Sequence, residues 1–147
     1  MSGTYSFMDV VASLTGPTGS IDLGYGSANS DEGITVTMSE SKNTMTTGAD
    51  GEVMHSLHAG KSGIITVNLL KTSPVNKKLS LMYNAQSQSS ALWGNNVIVL
   101  RNHASGDIVT ARACAFQKQP DWNNPKVAGI VAWVFDAGKI DEVLGEF

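Results

Sequence analysis

The sequence predicts a mainly β fold: two packed antiparallel sheets, a sandwich or small barrel, with one flanking α-helix near residues 74–89. Three observations point to it. Short alternating or β-branched runs recur along the 147 residues, divided by Gly, Asn, Asp and Pro. A single stretch switches to helical spacing. No repeat, linker or charge run splits the chain, so residues 1–147 are expected to form one domain, long enough to bury about two thirds of its unfolded surface.

Taken in order, "SFMDVVASLTG" and "GSIDLGYGS" are two candidate strands separated by the turn "TGPTGS". In "ITVTMSES", Ile34, Val36 and Met38 alternate with Thr35, Thr37 and Ser39, which gives a strand one apolar and one hydroxylated face. Asn43 to Thr47 and Glu52 to Leu57 are two further strand-like runs around a glycine turn, and "GIITVNLL" is a β-branched strand. The period then changes. Ser73 can cap a helix, Pro74 suits the first helical position, and Val75, Leu79, Met82 and Gln86 fall on one helical face. Leu79 and Met82, with Val75 or Tyr83, are expected to face the core, while Lys77, Lys78 and Gln88 point away. Val97 to Arg101 and Ile108 to Gln117 are strands joined through "NHASGD". Val127 to Asp136 is so continuously apolar that it should be a central strand buried on both faces. The total is about eight strands, with the helix between the sixth and seventh.

Composition excludes several functions. A formal charge of -3 opposes gripping nucleic acid through its phosphates. The one cysteine, Cys114, rules out an intrachain disulfide and fits a reduced, intracellular setting. The N-terminal segment has no basic leader, and no run approaches the ~18 apolar residues of a membrane helix, so neither export nor an anchor is expected. Charged residues are only 16% of the chain, against roughly 25% in an ordinary domain. Such a surface points to an exterior covered by further copies of the chain.

The motif "TTGADGEVMHS" resembles a phosphate or metal loop only superficially. It opens a strand rather than a helix and carries Glu52 where a phosphate loop needs Lys. Asp50 and Glu52 are two calcium-type ligands where several are needed. A tight reversal is the simpler reading, its glycines supplying positive φ and Asp50 bonding a downstream amide. His55 and His58 are three apart, on opposite faces of a strand, and His103 stands alone. Cys114 has no catalytic partner at motif spacing, Ser56 lacks a nucleophile elbow, and the acids form no distinctive pair. No catalytic residue, cofactor or metal is therefore expected. Two rivals stay open: a carbohydrate-binding β-sandwich using loop residues Trp93 and Trp122, and a small enzyme built on Asp50, Glu52 and His55.

"TMTTGADGEVMHS" followed by "SGIITVNLLKTSPVN" resembles the tail tube proteins of contractile-tailed bacteriophages, in particular a small family of phage structural proteins. The similarity continues through Val97 to Gln117 and "AGIVAWVFDAG", nearly the whole chain. The resemblance implies a fold shared with the tubes of type VI secretion systems. Six copies would form a ring, their strands joining into one barrel around a channel, and rings would stack into a tube. The implied partners are further copies of the chain, a tail sheath protein, a tape-measure protein in the lumen, and baseplate and tail terminator proteins. DNA would pass through without specific binding. The implied location is the virion tail, after assembly in the host cytoplasm. A terminator or initiator, capping the tube instead of repeating along it, is the variant within this resemblance.

In such tubes a long hairpin near this position reaches the adjoining ring. By that analogy Glu40, Ser41, Lys42, Asn43, Thr44, Met45, Thr46, Thr47, Gly48, Asp50 and Gly51 would be an inter-ring connector, polar and flexible with Met45 as an adaptable anchor. The hydroxylated faces of Ile34 to Ser39 and Glu52 to Leu57 would suit a channel wall, since phosphate binding demands Lys or Arg.

Overall fold

The computed structural model describes residues 3–147; residues 1 and 2, part of the N-terminal segment searched for a leader, lie outside the described part. The elements follow in the order β1 (Val10–Gly16), β2 (Gly19–Asp22), β3 (Asn29–Met38), β4 (Asn43–Thr47), β5 (Val53–Leu57), β6 (Gly63–Leu70), α1 (Val75–Gln86), β7 (Asn96–Asn102), β8 (Asp107–Phe116) and β9 (Ile130–Val143). The expected mainly β chain with one helix between the sixth and seventh strands is what forms.

Seven strands make one curled sheet, β2-β1-β7-β8-β9-β6-β3, antiparallel throughout, and β4-β5 make a second, two-stranded sheet. The curl brings the two margins toward each other. Past β2 the chain still follows β1, with Leu23 N–H donating to the Ala12 carbonyl (2.9 Å) and Tyr25 N–H to that of Val10 (3.1 Å). It then crosses directly to β3 at the other margin, where Asn29 Nδ2 donates to the Leu23 carbonyl at 2.8 Å. Gly24 permits this close run: a Cβ there would sit 2.7 Å from the Ala12 nitrogen and the Val10 oxygen.

Alternation decides which side is covered. Ala12, Leu14, Ile98, Ala111, Phe116, Phe135, Val67 and Ile65 project inward and meet Val75, Leu79 and Met82 of α1. Complete burial of a side chain such as Leu79 contributes about 1.5–3 kcal/mol. Phe116 centres an aromatic cluster, with ring centroids 4.8 Å from Phe135, 5.6 Å from Tyr83 and 5.9 Å from Trp133. The helix starts at Val75, with Pro74 at the boundary. Pro74 is thus the N-cap rather than the first helical residue expected, and Ser73, one residue earlier, accepts from Val75 N–H through its Oγ at 3.3 Å while also donating to the Ser27 carbonyl.

β9 differs from its expectation. It is central, between β8 and β6, but it begins at Ile130, not Val127, and runs on to Val143. It is also buried on one face only. Trp133, Phe135, Ala137 and Ile140 are covered, whereas Ile130, Ala132 and Asp136 on the outer face are exposed. Helix α1 can cover just one side of a sheet, and among the described residues the hydrophobic core lies on that side alone.

Candidate assembly surfaces

The β4–β5 hairpin leaves the sheet between Met38 and Gly63. Its register pairs Asn43 with Leu57, Met45 with His55 and Thr47 with Val53. Period two therefore gathers Met45, Val53 and Leu57 on one face, and Thr44, Thr46 and Ser56 with Met54 on the other. Every residue of β4 is exposed and so is all of β5 except half-buried Ser56; Leu57 is 82% accessible. Among the described residues, the hydrogen bonds of 43–57 stay within residues 42–58.

The tip is the reversal that the sequence indicates. Gly48 N–H donates to the Glu52 carbonyl (2.7 Å), Gly51 takes φ +87°, and Asp50 Oδ1 accepts from Glu52 N–H at 3.2 Å. Asp50 is thereby committed to its own turn. His55 lies 3.2 Å from Asn43 Nδ2 and His58 2.7 Å from Thr44 Oγ1, on opposite faces of the hairpin. Among the described residues, no group of three metal-ligating side chains comes together. No helix there is long and apolar enough to cross a membrane.

Cys114 is fully buried under the sheet, and desolvation pushes its thiol up to about 11, which disfavours the reactive thiolate. Trp93, a sugar-stacking candidate, packs edge-on against Tyr83 with ring centroids 5.9 Å apart and is not free to stack. Trp122, its expected companion, is 89% accessible.

The sheet's outer face is the second uncovered surface. Thr35 pairs with Thr66 across β3 and β6, and Ser13 and Thr110 flank Val99. Ile34 and Val36 turn inward, so the hydroxylated side of β3 is the outward one, as the alternation implied. Charge on this face is partly cancelled. Asp141 lies 3.0 Å from Lys61 and 3.9 Å from Arg112, and the bond from Lys61 holds its carboxyl below the ordinary range. Sequence reasoning missed this pairing because Lys61 and Asp141 are far apart in the chain.

A family model described as Bacteriophage PhiTE tail tube protein matches residues 1–145. No curated protein matches the sequence. Solved structures with a similar fold belong to contractile injection systems. A chain of the PVC sheath/tube terminator in the extended state superposes with TM-score 0.59 at 13% identity, covering 97% of this chain and 98% of that one. A chain of the PVC sheath-tube complex in the extended state gives 0.55 at 10%, covering 92% and 88%. The anti-feeding prophage tube terminating cap gives 0.54 at 7%, covering 99% and 95%.

Proposed function

Because the chain belongs to the bacteriophage PhiTE tail tube protein family, it is a structural, non-enzymatic component of a phage tail, and we propose that six copies close into a ring whose stacking builds a hollow, DNA-conducting tube. The observation that carries this reading is the hairpin, exposed on both faces and bonded only to itself, beside a sheet whose outer face is bare. Residues 1–147 act as one tail-tube domain. The outer sheet face lines the channel, where Ser, Thr and acid-paired cations let DNA slide. Residues Glu40 to Gly51 form the connector to the next ring. A sheath protein surrounds the tube, a tape-measure protein occupies it during assembly in the host cytoplasm, and baseplate and terminator proteins close its ends. The similarity to sheath-tube, terminator and baseplate structures supports the sheath, terminator and baseplate partners.

Electron microscopy of concentrated purified protein tests the reading. Hollow tubes or six-fold rings are the expected result; a strictly monomeric species at every concentration and salt would defeat it. The similarity to a terminator chain keeps one second reading in view, a ring that caps the tube. Copy number in purified virions separates the two, since a tube subunit is present in many rings and a cap in one.

A further inference from the structure

We propose that the surface receiving the β4–β5 hairpin is a groove on the next copy, built by the 117–129 loop around Trp122. This rests on the connector reading above and adds its missing half, the acceptor.

The groove has a volume of about 460 Å³ and lies between α1, the start of β9 and the loop. Trp133 forms its floor, fixed by an indole N–H donated to Asn76 Oδ1 at 3.0 Å. Trp122, Pro120, Pro125 and Ile130 line the walls, and Lys71 Nζ holds the loop by donating to the Asn123 carbonyl. The loop itself has no helix or strand from Gln117 to Gly129, and nearly all of it is exposed. Loops of this length without secondary structure are uncommon unless they bind something. A tryptophan 89% accessible, in the same loop as Val127 at 79%, is the composition of an interface anchor left without its partner.

Three observations choose the hairpin as occupant. The first is placement. β6 pairs antiparallel with β9 so that Gly63, where the hairpin returns, lies opposite Ala137, and Leu70 lies opposite Ile130, where the loop ends. Hairpin and groove thus sit at opposite poles, about 24 Å apart along β6 at ordinary strand rise. A hairpin pointing away from its own groove can enter only a neighbour's.

The second is shape and chemistry. Met45, Val53 and Leu57 project from one exposed face of the hairpin, each paired with a polar neighbour (His55, Thr47 and Asn43), and the groove is a concave one lined by Trp122 and Trp133. Methionine adapts to such a surface and gains from sulfur against the aromatic ring edge. The third is charge. The hairpin, residues 40–57, carries Glu40, Asp50 and Glu52 against Lys42, whereas the loop 117–129 carries Lys118 and Lys126 against Asp121, and Lys71 lines the groove itself. Opposite signs at the two poles attract the correct ends and repel like ones.

Disulfide trapping with the full chain tests the contact. Met45→Cys protein mixed with Pro125→Cys protein should yield cross-linked unlike pairs under mild oxidation, while either variant alone should not; Cys114 is buried and silent. In parallel, Trp122→Ala should raise the concentration needed for tubes about tenfold or more, as loss of an interface anchor does. Its exposed position leaves the fold, read by circular dichroism, unchanged. Replacing Lys118 and Lys126 by Glu should block tubes, and adding Glu40→Lys with Glu52→Lys should restore them. If hairpin deletion abolishes stacking but no cross-link forms and Trp122→Ala assembles normally, the acceptor is elsewhere while the connector reading stands. If hairpin deletion leaves tubes intact, both fall.

Discussion

Gln86 and Asn96, both completely buried, exchange two hydrogen bonds of 2.8 Å, each amide donating to the other's carbonyl, and Gln86 Nε2 also reaches Thr18 Oγ1 at 3.2 Å. The pair locks the end of α1 to the first residue of β7 in one register. Removing a single member strands its partner in the core. Gln86→Leu should therefore cost about 1–3 kcal/mol in urea unfolding, and Asn96→Leu a similar amount. The double substitution should recover much of the loss, because neither polar group is then left unpaired. Half of this was legible in the sequence. Gln86 falls on the helical face with Val75, Leu79 and Met82, but nothing local marks Asn96 as its partner, since that depends on where β7 packs.

The elements were legible to the extent that local pattern decides them. Asn43–Thr47 and Gly63–Leu70 form as strands at the expected residues, because glycine turns and alternation define both. β9 was less legible. Its second half, "AGKIDEV", looks like a turn with charges, yet β8 pairs with it as far as Val143, and tertiary pairing overrides composition. The loop Trp93 was likewise opaque, since only the folded helix brings Tyr83 to it. At this scale the hairpin makes a prediction. A two-stranded ribbon is marginal alone in water. The amides of β4 and β5 should exchange rapidly with deuterium in dispersed subunits and slowly in assembled tubes, while β7, β8 and β9 stay protected in both. Equal hairpin protection in the two states would show that it needs no neighbour.

The hairpin and its turn chemistry are written in the sequence; the groove proposed to receive it is not, because Lys71, Asn76, Trp122 and Trp133 converge only in three dimensions. The uncovered face of the sheet has the same origin. A run such as "AGIVAWVFDAG" is apolar on both sides, and the isolated chain covers one. Association that covers the other stabilises the folded form by mass action. The apparent Tm in calorimetry should consequently rise with protein concentration, and a Tm constant over a hundredfold range would argue for a self-sufficient monomer.

If the hairpin enters the groove as proposed, their opposition across β6 gives the resulting polymer a direction. One extremity of such a polymer would display projecting ribbons and the other empty sockets. Whatever nucleates growth must offer the counterpart of one, and whatever halts it must match the other, so the initiating and arresting proteins cannot be interchanged, and elongation proceeds one way only from its origin.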